Sequence, residues 1–136
     1  MIIGIGTDIV SISRMEKAIQ QNRFIDRVFT ASEIEYANNR GQIKAASFAA
    51  RFAAKEAVLK AFGTGLRGGE LKEIEVEIDN LGAPHINLYG NFLKLAKEKG
   101  VKATHISLSH EREYATAFCV MEGNDENSSE ERCAGD

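Results

Sequence analysis

The longest helical pattern in the chain spans residues 48–65 and reads Phe48-Ala-Ala-Arg-Phe-Ala-Ala-Lys-Glu-Ala-Val-Leu-Lys-Ala-Phe-Gly-Thr-Gly65. At about 100° per residue, one face of this helix carries large apolar side chains and another carries only alanines. The apolar set is Phe48, Phe52, Leu59 and Phe62, and the alanine set is Ala50, Ala54, Ala57 and Ala61. A helix that is apolar on so many sides is predicted to be buried, with its alanine face closely packed against a neighbour.

Four charged side chains interrupt these apolar faces: Arg51, Lys55, Glu56 and Lys60. Buried charges are rare in proteins unless they are paired or have a function. Glu56 and Lys60 lie one turn apart, so a simple structural ion pair is one interpretation. A functional site is the other, and the helix alone leaves both open.

Composition places the chain among ordinary one-domain globular proteins. It has 136 residues, of which 43% are hydrophobic and 27% are charged. No apolar run approaches the roughly 18 residues that span a bilayer, and the N-terminus does not resemble a signal peptide. Two cysteines without metal or disulfide spacing favour a reducing cytoplasm. We therefore expect a cytoplasmic protein with no membrane partner.

Charge is distributed unevenly along the chain, whose formal net charge is −3. Residues 122–136 carry six carboxylates and one arginine, which leaves the remaining body weakly positive. That balance is too weak to favour nucleic-acid binding. The sequence predicts a folded domain over residues 1–122 and an acidic, disordered tail over residues 123–136.

The first strand is predicted over residues 2–10, and it carries Gly4, Gly6 and Asp8 on one face. Glycines weaken a strand unless another backbone must approach it closely. A bulge followed by an aspartate in a strand-end turn is the structural alternative. Helix starts are predicted at two capping boxes, Ser13 to Glu16 and Thr30 to Glu33.

The second half of the chain alternates strands with one short helix. A hairpin is predicted from residues 73–79 and 85–89, a helix over 91–99, and two further strands over 101–109 and 114–121. Together these elements predict an α+β fold in a single domain, with a mainly antiparallel sheet packed on the long central helix and accompanied by shorter helices.

A chemical interpretation follows when Asp8, Glu56 and Lys60 are considered together. Two carboxylates without a thiolate cluster suit a hard cation such as Mg²⁺, which commonly bridges substrate phosphates. Basic side chains and a glycine turn would then contact phosphate, and histidines would add donors. The phosphate partners are Lys60, Lys55, Arg51 and the Gly63–Gly65 turn, and the histidines are His105 and His110, with Ser109 beside them. A structural histidine remains the alternative for His105.

Four blocks in the chain carry a resemblance to a known family. They are Gly4-Ile-Gly-Thr-Asp-Ile-Val10, Arg51-Phe-Ala-Ala-Lys-Glu-Ala57, Lys60-Ala-Phe-Gly-Thr-Gly65 and His105-Ile-Ser-Leu-Ser-His110. In order and spacing they resemble the signature blocks of holo-acyl-carrier-protein synthases, the small trimeric class of 4′-phosphopantetheinyl transferases. The resemblance runs from Met1 to about Glu122.

This resemblance implies a fold, a reaction and a set of site residues. Such enzymes move 4′-phosphopantetheine from coenzyme A to a serine of apo acyl carrier protein and release adenosine 3′,5′-bisphosphate. It implies that Asp8 and Glu56 are Mg²⁺ ligands and, with Lys60, the catalytic residues. It also implies that Lys60 reaches the pyrophosphate. The implied coenzyme A contacts are Arg51, Lys55, Lys60, Gly63, Gly65, His105, Ser109 and His110.

The basic segment from Arg14 to Arg27 has two interpretations. It is either an ordinary amphipathic surface or a docking face for an acidic helix. The resemblance implies the second, with an acyl carrier protein docking on Arg14, Arg23, Phe24 and Arg27. It further implies a homotrimer whose sites lie between subunits, with Asp8 and Glu56 from one chain and His105 from its neighbour.

Two rival functions remain from the sequence. One is a non-catalytic module that binds coenzyme A or a nucleotide, and the other is a structural oligomer in which Glu56 and Lys60 only set packing. Two carboxylates placed for a metal argue against both, because a pure binder has less need of them.

Overall fold

A computed structural model describes residues 1–66 and 68–124 of the chain. Its longest element is helix α4 (Lys44–Phe62), and four shorter helices surround it. These are α1 (Ile12–Ala18), α2 (Asn22–Val28), α3 (Ala31–Asn38) and α5 (Gly90–Lys99). The strands are β1 (Ile2–Ser11), β2 (Ile74–Ile78), β3 (Pro84–Leu88), β4 (Val101–His110) and β5 (Tyr114–Gly123), and short 3₁₀ turns occupy Gly41–Ile43 and Leu71–Glu73.

The strands form two antiparallel sheets rather than one. β1, β5 and β4 lie side by side in that order, and the β2–β3 hairpin is a separate sheet of two strands. Helix α4 packs across β1 and β5. The α+β prediction of an antiparallel sheet on a long central helix is therefore confirmed, with the hairpin as a second sheet beside it.

Strand β1 approaches helix α4 at its two glycines. A Cβ atom at Gly4 would overlap the carbonyl oxygen of Ala61, and one at Gly6 would overlap the carbonyl oxygen of Ala57. The alanine face of the helix and the glycine face of the strand thus meet backbone to backbone. This contact confirms the close-approach interpretation of the glycines, and it places Asp8 beside the same helix.

The two predicted capping boxes have different outcomes. Thr30 accepts a hydrogen bond from the Glu33 N–H, and the Glu33 side chain accepts one from the Thr30 N–H, so this capping box is confirmed. The prediction of a helix start at Ser13 is wrong. Helix α1 begins at Ile12, and its cap is Ser11, which accepts a hydrogen bond from the Arg14 N–H.

Helix α4 separates two apolar cores. One core lies against its second half and includes Val58, Phe62, Ile74 and Phe92. The other lies against its first half, where helices α1 to α3 bring Phe29 onto Phe48, with their rings 4.9 Å apart. Because both cores use this helix, its rotation and position fix the side chains that it presents to the site.

Strand β5 ends at Gly123, one residue beyond the predicted domain boundary. Most of the predicted tail, residues 125–136, lies outside the described residues. Among the helices of residues 1–66 and 68–124, none combines the length and the hydropathy that crossing a membrane requires.

Candidate functional site

Asp8, Glu56 and Lys60 come together where β1 crosses helix α4. Lys60 Nζ lies 3.1 Å from Asp8 Oδ1 and also donates to the carbonyl oxygen of Thr7 at 3.0 Å. The Lys60 side chain is 56% exposed and that of Asp8 is 18% exposed, so the pair can be reached from solvent. The structure thus joins these three side chains, as the sequence predicted.

The surroundings of Glu56 shift its pKa. Burial raises the pKa of Glu56, the negative charge of Asp8 raises it further, and Lys60 opposes both effects. Carboxylates that repel each other in a half-buried site are stabilised by a cation between them. The donor set therefore fits a divalent cation held through oxygen atoms.

These two carboxylates would supply only part of a coordination shell. Over residues 1–66 and 68–124, no three His, Cys, Asp or Glu side chains lie close enough to bind one ion. Mg²⁺ commonly keeps several waters and binds one or two carboxylates together with substrate phosphates. The group Asp8 and Glu56 fits that mode, and it does not resemble a closed structural metal site.

A cleft of about 420 Å³ opens beside Asp8 and Glu56. Its other walls are mainly apolar and come from β1, α1, α2 and α4, and they include Val10, Arg14, Met15, Ala18, Phe24 and Phe52. We call this feature the α1 cleft. Arg14 and Phe24, both predicted docking residues, line it directly, whereas Arg23 and Arg27 are exposed on helix α2.

Arg51 lies in a different place, on the side of helix α4 that faces α3. It is only 3% exposed, its Nη1 donates to Ser47 Oγ at 2.9 Å, and its guanidinium lies over the Tyr36 ring at 4.3 Å. Its Nε atom is buried and has no hydrogen-bond partner among residues 1–66 and 68–124. A buried donor without a partner suits an acceptor from a ligand.

Two adjoining cavities meet near Arg51. The smaller, of about 120 Å³, is lined by Arg51, Arg40 and His110 among others. The larger, of about 880 Å³, shares His110 and adds Lys44 and Arg112. Arg40, Lys44 and Arg112 were not predicted from the sequence, because basic side chains in turns and at element ends carry no periodic signal. The cavity pair is rich in cations and suits a phosphate-bearing ligand.

Lys55 does not lie in either group. Its side chain is 0% exposed, and its Nζ lies 2.8 Å from Glu33 Oε1. Its remaining hydrogen bonds go to backbone carbonyls. The prediction that Lys55 contacts the nucleotide is therefore not supported by its position, because its ammonium group is already surrounded by partners inside the protein.

The glycine turn and the histidine block complete the predicted set. Gly63 and Gly65 have φ of 76° and 66°, values that favour glycine, and the turn begins three residues after Lys60. His105 and Ser109 lie on the outer face of the three-stranded sheet, and His105 contacts Glu122 at 3.0 Å. Within one chain they are on the opposite face from Asp8, whereas His110 lines the Arg51 cavities.

Comparison with known proteins gives consistent matches over nearly the whole chain. Residues 4–119 match the model of the 4′-phosphopantetheinyl transferase superfamily. A holo-[acyl-carrier-protein] synthase of Clostridium beijerinckii is 50% identical over 123 residues, which are 90% of this chain and 98% of that protein. One from Treponema denticola is 46% identical over 123 residues, covering 90% of this chain and 100% of that protein.

Solved structures of such synthases share the fold. The Neisseria meningitidis protein matches with a TM-score of 0.82 and 37% identity, over 90% of this chain and 99% of that one. A Bacillus anthracis synthase, solved in complex with coenzyme A (3′,5′-ADP), matches with a TM-score of 0.76 and 35% identity, over 91% of this chain and 99% of that one.

Proposed function

This chain belongs to the 4′-phosphopantetheinyl transferase superfamily and is a holo-[acyl-carrier-protein] synthase that uses coenzyme A, and we propose that Asp8, Glu56 and Lys60 carry its chemistry. Transfer of phosphopantetheine to apo acyl carrier protein is the reaction. The observation that carries the proposal is the meeting of two carboxylates and an exposed ammonium group at the β1–α4 crossing.

Asp8 and Glu56 are the residues that would hold Mg²⁺ in this proposal. When bound, the ion would offset the negative charge that develops on the leaving group as the pyrophosphate bond breaks. The ammonium group of Lys60 lies on the open side of Asp8, where it can also contact a phosphate oxygen. Lys60 thus holds the pyrophosphate while the hydroxyl group of the carrier serine attacks.

The serine proton needs an acceptor near the site. Burial and the charge of Asp8 raise the pKa of Glu56. A carboxylate with a raised pKa accepts a proton more readily near neutral pH. We assign proton acceptance to Glu56 through one water molecule, because a carboxylate that holds a cation is a poor direct base.

The nucleotide end of coenzyme A would occupy the cavities at Arg51 and His110. The support is the unpartnered Nε of Arg51 and the surrounding cations. His105 and Ser109 face the other side of the sheet, so we assign them to a coenzyme A molecule bound with a neighbouring chain. The Gly63–Gly65 turn borders the pyrophosphate beside Lys60.

A homotrimer with sites between subunits is part of the same proposal. The outer face of the three-stranded sheet exposes several large apolar side chains, which a neighbouring chain would cover: Ile5, Ile9, Tyr114 and Phe118. The free thiol of Cys119 is buried, which suits a reducing cytoplasm as the site of action.

The carrier protein would dock at the α1 cleft and the basic face of helix α2. Arg14 lines the cleft next to Asp8, and Phe24 supplies part of its apolar wall. Arg23 and Arg27 extend the positive charge along the exposed side of α2. An acidic helix would place its charges on the arginines and its serine at the mouth of the cleft.

One experiment tests the metal and the reaction together. The protein is incubated with coenzyme A, Mg²⁺ and an apo carrier protein, and the carrier is weighed by mass spectrometry. We expect a gain of one phosphopantetheine unit that EDTA abolishes and added Mg²⁺ restores. Transfer that persists in EDTA would contradict the metal assignment. If coenzyme A binds and no transfer follows, the chain would be the non-catalytic binding module instead.

Replacing Arg51 tests the nucleotide assignment. We expect Arg51→Met to weaken binding of adenosine 3′,5′-bisphosphate by about tenfold to a hundredfold, because a charge-assisted hydrogen bond to phosphate is lost. Isothermal titration measures this affinity. Arg23→Met on the exposed face of α2 is the matched control and should bind the nucleotide normally. Equal affinity in both variants would place the nucleotide elsewhere.

A further inference from the structure

Lys55 and Glu33 form an ion pair that is shut off from solvent and takes no part in the proposed chemistry. Both side chains are 0% exposed, and the two charged atoms lie 2.8 Å apart. Burial lowers the pKa of Lys55, and the charge of Glu33 is the first influence that opposes this. Such pairs add little stability over apolar residues of similar volume, so stability is a weak account of the pair.

The remaining hydrogen bonds of Lys55 go to the segment that leads from helix α4 into strand β2. Its ammonium group donates to the carbonyl oxygen of Leu71 at 3.1 Å and to that of Ile74. These carbonyls lie 16 and 19 residues further along the chain. Lys55 therefore holds the returning chain against the middle of the helix.

Glu33 provides the other half of this connection. One of its carboxylate oxygens accepts from the N–H of Thr30 at 2.8 Å, and the other accepts from the N–H of Val76 at 2.8 Å. The pair thus binds the start of helix α3 and the start of strand β2 to helix α4. Each polar atom of the pair has a partner, as a buried network requires.

The path of the chain links this network to the site. After Lys60 the chain leaves helix α4 at Phe62, passes through the Gly63–Gly65 turn, and returns to the helix where Lys55 holds Leu71. The helix fixes the chain as far as Phe62, and Lys55 holds it again at Leu71. The turn begins three residues after Lys60, the residue that the proposal places on the pyrophosphate.

We propose that Lys55 is a positioning residue, which fixes the loop after Lys60 and so presents the Gly63–Gly65 turn to the phosphates of coenzyme A. This inference rests on the proposed phosphate site at Lys60. It gives Lys55 an indirect role in substrate binding in place of the direct contact predicted from the sequence.

The test uses the double variant Glu33→Gln/Lys55→Met, which leaves no unpaired charge in the core, whereas either single change leaves one. Val58→Ala is the matched control, because Val58 is fully buried on the same helix and its truncation lowers stability without removing a hydrogen bond to the loop. Both variants are studied well below their unfolding temperatures.

Two measurements are made on the full chain. In the double variant we expect the KM for coenzyme A to rise about tenfold with kcat nearly unchanged, because a loosened loop binds phosphate less well but leaves the carboxylates in place. We also expect faster hydrogen exchange at the amides of Gly69 and Glu73, which bond within the loop. Val58→Ala should change neither quantity.

Lys60→Met separates this proposal from the one on which it rests. If Lys60→Met leaves the KM for coenzyme A unchanged, the phosphate site is wrong and the positioning role falls with it. If Lys60→Met raises that KM while the double variant behaves like Val58→Ala, only the positioning role is overturned. Unchanged hydrogen exchange in the loop of the double variant would overturn it as well.

Discussion

Glu56→Gln is expected to lower kcat by about a thousandfold while making the folded chain slightly more stable. Activity falls because glutamine neither holds a cation as a carboxylate does nor accepts the serine proton. Stability rises because burial and the charge of Asp8 raise the pKa of Glu56, so the ionised form is disfavoured in the folded state at neutral pH. Carrier-protein mass and urea unfolding measure the two effects.

The loss of activity and the gain of stability in Glu56→Gln together distinguish a catalytic role from a structural one. The pKa of Glu56 is higher in the folded chain than in the unfolded chain. Ionising Glu56 therefore lowers the free energy of unfolding at any pH above the folded pKa, and this loss disappears as the pH falls below the unfolded pKa. The stability gain of Glu56→Gln should therefore shrink in acid. Glu98→Gln, on the exposed side of helix α5, is the control. A marked loss of stability in Glu56→Gln would favour a structural ion pair with Lys60.

Gly6→Ala is expected to destabilise the fold by about 3 kcal/mol or more. A Cβ atom at this position overlaps the carbonyl oxygen of Ala57, which is backbone and cannot turn aside. Either β1 moves away from helix α4 or the helix is displaced from its core. Because Asp8 follows two residues later, the same movement should separate it from Glu56 and reduce activity.

Urea unfolding of Gly6→Ala measures this cost, and Ile2→Ala provides a comparison on the exposed part of the same strand. Ile2→Ala should change the free energy of unfolding by less than about 1 kcal/mol. If Gly6→Ala has the same free energy of unfolding as the unmodified chain, the backbone of β1 does not pack against helix α4 as closely as the structure shows.

The group at Asp8, Glu56 and Lys60 could be predicted because its signals are local. Helical spacing puts Glu56 and Lys60 one turn apart. Glycines in a strand indicate that another backbone packs closely against it, and this packing of β1 on the helix brings Asp8 to the other two side chains. The glycines at the end of the helical pattern over residues 48–65 likewise follow directly on the end of helix α4 at Phe62. Periodicity and glycine placement are sufficient for features of this kind.

The environment of Lys55 could not be predicted, because its partner is a matter of tertiary packing. Glu33 was recognised only as part of a capping box, where its side chain would face the helix start. In the structure, Glu33 Oε2 accepts a hydrogen bond from the Val76 N–H, and Glu33 Oε1 lies against the ammonium group of Lys55. Similarly, His105 and Ser109 were predicted among the coenzyme A contacts, but only the sheet register shows that they lie on the face opposite Asp8.

The pairing of the first strand with the last affects how the protein is made. Thr7, next to Asp8, donates its hydroxyl hydrogen bond to Ala117, 110 residues further along the chain. During synthesis β1 therefore leaves the ribosome long before β5, its only partner strand in the described structure, has been made. Until then the backbone hydrogen-bonding groups of β1 have no partner strand. Helix α4 can form early from local contacts, whereas the carboxylate of Asp8 is fixed beside it only when β5 arrives. A chain that ends before residue 117 would lack the strand that holds Asp8 in place beside the helix.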